Sequence, residues 1–182
     1  MTTVRITGLG PSSRDASKDA PAEHWGLPWD PMYPRYTRLF EMHDRELFER
    51  RGQGYVDQLT GETFAPIYMH QLHDDIPNSR RYPFYEVCTR QGIGDYFNSS
   101  IAYMLALAIA ERFDRIELYG VDNAKGEEWG KERPCNEYLI GLARGRGIDV
   151  WIHPDSALCK PQLDILYLDE RQYYVGRYGK LS

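Results

Sequence analysis

Ten consecutive residues, Ile101-Ala102-Tyr103-Met104-Leu105-Ala106-Leu107-Ala108-Ile109-Ala110, carry no charge, and as a helix they are apolar nearly all round rather than along one stripe. Such a helix has to be buried on most of its faces. The run is about half of the roughly 20 residues needed to cross a bilayer, so the covering must come from protein. The chain is therefore expected to fold around a central helix over Ile101 to Arg112, capped at its start by Ser99 or Ser100.

Strand signals lie on both sides of that helix. Val4 to Gly8 is a short β-branched run that empties into Gly8-Leu9-Gly10-Pro11-Ser12-Ser13, and His24 to Leu27 reads as a brief second strand. Thr37 to His43 alternates as a strand, Asp44 is placed to cap a helix through Arg51, Thr60 to Thr63 reads as a turn, and Pro66 to His70 reads as a strand. His73 to Pro83, with two prolines and two adjacent arginines, has loop composition. Arg115 to Tyr119 is a predicted strand ending in Gly120-Val121-Asp122, Asn136 to Arg146 an amphipathic helix closed by Gly147, and Ile148 to Ile152 a last strand. Strands alternating with helices predict an α/β fold, a Rossmann-like three-layer sandwich with a mostly parallel sheet.

The length of 182 residues suits a single Rossmann-like domain over 1–182. A net charge of -5 argues against general nucleic-acid binding, and 42% apolar with 27% charged residues is ordinary for a folded globular chain. No membrane span and no signal peptide are read, so the expected location is the cytoplasm. Cys88, Cys135 and Cys159 form no C-x-x-C pair and are expected as free buried thiols.

In open parallel sheets ligands lie outside the carboxyl ends of the strands, so the loops after Gly8, Glu41, His70, Phe97 and Tyr119 are the places to search. Gly8, Gly10 and Ser12 could bring backbone N–H groups and a hydroxyl to a phosphate, or form no more than a tight turn. Asn98, Ser99 and Ser100 head the buried helix, where the dipole is positive; capping alone also accounts for a serine there. Asp122, just past a strand, could bind ribose or metal, or serve the turn. Glu41 and His43, two apart on a strand, share a face and suit an acid–base pair if that face opens to the cleft; a packed histidine at a strand end accounts for His43 equally well. His70-x-x-His73-Asp74-Asp75 has the composition of a metal site, but its spacing does not suit a strand exit, and no metal is expected.

Tyr96-Phe97-Asn98-Ser99-Ser100-Ile101-Ala102-Tyr103-Met104, followed by the buried helix and Ile116-Glu117-Leu118-Tyr119-Gly120-Val121-Asp122, resembles the core of the short bacterial sialyltransferases. Ile6-Thr7-Gly8-Leu9-Gly10-Pro11-Ser12 is similar to that family's first strand and phosphate-side loop, and His153 to Leu158 to its late Pro-Asn-Ser-Leu segment. The strand ending in Gly-Val-Asp also resembles the archaeal-type hydroxymethylpterin diphosphokinase group. Phe40 to His43, Asp75 to Ser79 and Gly141 to Ile148 resemble uncharacterised tailed-bacteriophage proteins across nearly the whole chain. The sialyltransferase resemblance implies a cytidine-nucleotide cleft at Gly8, Gly10, Ser12, Ser99 and Ser100. Three departures stand out: Leu9 replaces an asparagine, Ser100 replaces a glycine, and Glu132-Arg133-Pro134-Cys135 stands where the family carries its base histidine. The resemblance thus implies a nucleotide cleft more readily than the same reaction.

The leading expectation is a nucleotide or nucleotide-sugar binding protein, encoded by a phage and residing in the host cytoplasm, with a glycosyltransferase-like or phosphotransferase-like cleft. Glu41, His43 or Glu132 would handle the proton. Two other readings use the same chain: a binder that sequesters a nucleotide immune signal of the host without chemistry, and a structural phage protein with a vestigial cleft. The cofactor is left unassigned, and a homo-oligomer is left open.

Overall fold

A computed structural model of the protein describes residues 1–16, 23–29, 36–61, 65–123 and 128–160. Among these residues lie seven strands: β1 (Thr3–Thr7), β2 (Glu23–Gly26), β3 (Arg38–Phe40), β4 (Ile67–Met69), β5 (Ser79–Arg81), β6 (Arg115–Tyr119) and β7 (Asp149–Ile152). The α-helices among them are α1 (Arg45–Glu49), α2 (Gln53–Thr60), α3 (Ser100–Ala110) and α4 (Arg133–Gly145). The strands form one sheet in the order β5-β4-β3-β2-β1-β6-β7, and every pairing between neighbours is parallel.

The chain winds outward from β1 to β5, then returns to lay β6 on the other side of β1. Right-handed crossovers put the connections of these two halves on opposite faces. Side-chain alternation shows it: Leu39 packs with Phe48 of α1 and with Tyr55 and Leu59 of α2, whereas its neighbour Phe40 packs into the core under α3 and α4. The fold is therefore α/β, three-layered and Rossmann-like. α3 is the central helix, with eight of its eleven residues buried and Val4, Ile6, Ile116, Leu118 and Val150 of the sheet in the same core.

Ser99 is the cap of α3: its hydroxyl accepts the Ala102 N–H at 3.2 Å. α4 begins three residues earlier than expected because Pro134 sits in its first turn, where the missing N–H costs no helix bond. β3 stops at Phe40, short of the expected His43, although the Glu41 N–H still donates to the Tyr68 carbonyl at 2.9 Å. β5 lies inside the segment expected to be loop. Its sequence is Ser-Arg-Arg, and it is an edge strand with both arginines exposed, so it carries no apolar alternation. α2 has no counterpart among the expected elements, since eight residues containing Gly54 and preceded by Gly52 give little periodic signal. Of the three thiols only Cys135 is buried; Cys88 is half-buried and Cys159 exposed, which corrects the expectation for the last two. The turn expected at Thr60 to Thr63 lies partly outside the described residues. Among the described residues no helix is long and apolar enough to cross a membrane.

Candidate functional site

The strand order reverses between β1 and β6, and the loops leaving those two strands stay in contact past the sheet. Gly8 N–H donates to the Tyr119 carbonyl at 2.8 Å and Gly10 N–H to the Gly120 carbonyl at 2.7 Å. A Cβ on Gly8 would stand 2.5 Å from the Gly120 oxygen, and one on Gly120 would stand 2.5 Å from the Gly8 oxygen. A Cβ on Gly10 would run into the Asp122 carboxylate. These glycines are required by the approach of one loop to the other, whatever ligand the loops hold.

Ser12 and Asp122 brace the same junction. Ser12 lies in a 3-10 turn, Pro11–Asp15, and is 4% exposed. Its hydroxyl donates to Asp122 Oδ1 at 2.5 Å and accepts the Gly120 N–H at 2.8 Å, and its main-chain N–H reaches Asp122 Oδ2 at 3.3 Å. Behind the β6 loop, Ser156 Oγ donates to the Val121 carbonyl at 2.6 Å and Ala157 N–H to the Asp122 carbonyl at 2.9 Å. The late segment likened to Pro-Asn-Ser-Leu thus buttresses this loop.

The start of α3 joins from the other side. Besides capping, Ser99 Oγ donates to Asn136 Oδ1 at 3.1 Å, and Asn136 Nδ2 donates to Asn123 Oδ1 at 2.9 Å. This chain, buried at Asn136 and Asn123, ties α3, α4 and the β6 loop together. Asn98 is exposed and donates to the Lys131 carbonyl at 3.2 Å, while Ser100 is half-buried.

Between these pieces lies a cleft of about 250 Å³, lined on the sheet edge by Gly8, Leu9, Gly10 and Gly120 to Asn123, and on the α3 side by Asn98 to Ile101 and Glu132. Leu27, His43 and Arg51 close it from the direction of β2 and β3. The structure therefore brings Gly8, Gly10, Asn98, Ser99, Ser100, Asp122, His43 and Glu132 to one space, with Ser12 beneath it and Glu41 behind His43. Glu41 and His43 are not two positions of one strand face. They meet directly where β3 runs out, with His43 Nδ1 2.5 Å from Glu41 Oε1.

Arg51 on this wall and Tyr55 behind it carry no functional signal in the sequence, since one ends the expected helix after Asp44 and the other follows it between glycines. Arg51 Nη2 lies 3.3 and 3.5 Å from the two ring nitrogens of His43, and its guanidinium sits 5.1 Å over the Tyr55 ring. The loop after β4 does not join the cleft. His70 meets the Tyr103 hydroxyl at 3.3 Å, His73 packs edge-on to Phe48, and Asp75 forms a two-pronged pair with Arg45 that holds its carboxyl down at about 2. A larger space of about 380 Å³ lies at the opposite edge of the sheet, bordered by Gln91, Arg112, Asp114 and Arg146.

No family model matches this sequence, and no curated protein does. Among solved structures, the sialyltransferase CstII from Campylobacter jejuni with CMP-3FNeuAc aligns at 16% identity over 84% of this chain and 80% of that one, with a TM-score of 0.54. The alpha-2,3-sialyltransferase from Campylobacter jejuni in apo form aligns at 15% identity over 86% and 77%, also at 0.54. A single-residue variant of sialyltransferase CST-II in complex with CMP aligns at 15% over 84% and 81%, at 0.53. At these identities the likeness is one of fold, and the core of this chain is sialyltransferase-like in architecture.

Proposed function

We propose that the cleft between the β1 and β6 loops binds a nucleotide or nucleotide-sugar and serves transfer of a group from it. The observation that carries this reading is convergence: the glycine loop after β1, the Asp122 loop after β6 and the start of α3 meet where the strand order reverses. That is where open α/β sheets take nucleotides, and a helix start offers N–H groups to phosphate. Gly8, Gly10, Asn98, Ser100 and Asp122 would contact the ligand, with Ser12 and Ser99 holding the walls in place. Glu41, His43 and Glu132 are the groups for the proton.

Similar structures with CMP or CMP-3FNeuAc bound make cytidine nucleotides the first probes. The phage likeness supports a host cytoplasm as the setting, and the strand ending in Gly-Val-Asp supports the comparison with the diphosphokinase group. A thermal-shift panel of CMP, CMP-linked, UDP-linked and GDP-linked sugars tests the reading. A ligand at about 100 times its Kd adds about 2.7 kcal/mol, or about 5–10 °C for a chain of this size. No shift across the panel rejects the reading. Glu132-Arg133-Pro134-Cys135, standing where the similar family has its base, favours a second reading in which the nucleotide is held without chemistry. In that case it is recovered intact after denaturation.

A further inference from the structure

Glu41, His43 and Glu132 are not equivalent, and their surroundings separate them. The Glu41 side chain is only 2% exposed, and its carboxylate receives His43 Nδ1 at 2.5 Å, the His43 main-chain N–H at 3.0 Å, the Tyr55 hydroxyl and Arg51 Nη1 at 3.4 Å. Burial pushes the Glu41 carboxyl up, but the hydrogen bonds from His43 and Tyr55 outweigh it and leave the carboxyl below its ordinary value. Burial and the neighbouring Glu41 push the Tyr55 phenol up, so Tyr55 is the donor in their contact.

An ionised carboxylate only accepts. His43 must then present Nδ1–H to Glu41, and in the neutral ring the lone pair is left on Nε2. His43 is 40% exposed and lines the cleft, whereas Glu41 and Tyr55 lie behind it. Glu132 stands on the far wall, where α4 begins.

We propose that His43 Nε2 is the general base of the transfer step, with Glu41 orienting the ring and Tyr55 positioning Glu41; the substrate class rests on the nucleotide reading above. The acceptor hydroxyl then enters from the wall made by Leu27, His43 and Arg51. Its proton passes to Nε2, its oxygen bonds to the carbon being transferred, and the bond from that carbon to the nucleotide phosphate oxygen breaks with its electron pair on the phosphate. The imidazolium so formed is balanced by Glu41; Arg51, whose Nη2 lies 3.5 Å from Nε2 and can donate only to its lone pair, has to leave the ring before the proton arrives.

The test uses the full chain labelled with ¹⁵N-histidine, with the His43 signals assigned through His43→Gln. In the wild type, neutral His43 is expected as the Nδ1–H tautomer, and CMP should perturb its Nε2 signal. Nucleotide release from CMP-N-acetylneuraminic acid, UDP-N-acetylglucosamine and GDP-mannose is then followed. His43→Gln should slow release about 100-fold or more while the CMP Kd moves by less than about threefold. Tyr55→Phe should lower kcat with KM unchanged, a split that a loss of packing would not give. A wild-type Nε2–H tautomer, wild-type turnover in His43→Gln, or loss of turnover in Glu132→Gln alone overturns the assignment. An Nδ1–H tautomer in a protein that neither binds CMP nor cleaves any of the three donors overturns the nucleotide reading instead, and the transfer role of His43 with it.

Discussion

His24 on β2 is a buried histidine, 1% exposed, with Nε2 2.9 Å from Thr7 Oγ1 and its ring edge-on to Tyr36. Among the described residues Nδ1 has no hydrogen-bond partner. Burial first, and the charge of Arg5 second, lower its pKa from 6.5 to about 4. The unfolded chain takes up this proton near 6.5 and the folded one only near 4. Stability should therefore fall as pH drops through that window and level off below it, with no contribution to the slope above 6.5. His24→Gln keeps a hydrogen-bonding side chain but no titration. Urea midpoints measured from pH 7 to 4 should flatten in the variant, and an unchanged slope would rule out His24 as the source.

At the scale of elements, the junction of the β1 and β6 loops is held by close approach. Gly120 has φ 63°, in the left-handed region, and its Cβ position is already occupied by the Gly8 carbonyl. Gly120→Ala thus meets a backbone strain and a backbone clash together, for about 1–3 kcal/mol each. Since Ser12 and Asp122 are bonded across the same junction, spreading it should weaken CMP binding as well as lower the urea midpoint. Gly141 in α4, where a Cβ would meet nothing within 4 Å, is the control: Gly141→Ala should be neutral or stabilising by up to about 1 kcal/mol. Equal losses in both variants would show that the loop junction has no special demand for glycine.

At the scale of the molecule, the two cavities described above compete as ligand sites among the described residues, and the larger of this pair does not lie at the reversal of strand order. The 380 Å³ space sits near the start of β6, beside Asp114, while the 250 Å³ cleft sits past its end. Volume favours the first, whereas the meeting of two strand-exit loops with a helix start and a paired imidazole favours the second. Hydrogen exchange with and without CMP decides between them. Protection should appear in the peptides spanning residues 8–12, 98–103 and 120–123, and be absent from 112–114 and 146–148. The reverse pattern would move the site to the other edge of the sheet.

Local pattern in this chain is strong wherever a segment is buried on its own account. The all-round apolar run of α3, the β-branched β1 and the β6 strand with its glycine exit can be read directly, because burial imposes a composition on consecutive residues. So can the parallel α/β class that their alternation demands. β5 and α2 cannot, since an exposed edge strand and a short helix between glycines take their place from neighbours rather than from their own sequence. The candidate site shows the same division. Gly8, Gly10, Asn98 to Ser100 and Asp122 stand out by type and position, but tertiary contacts alone decided that Ser12 and Ser99 are spent on bracing the walls. Tertiary contacts alone also brought Arg51 and Tyr55, ten and fourteen residues past Glu41, against its carboxylate. Spacing along a strand predicts a shared face; only the end of β3 and the packing of α2 turn that proximity into a bonded line from Tyr55 to His43.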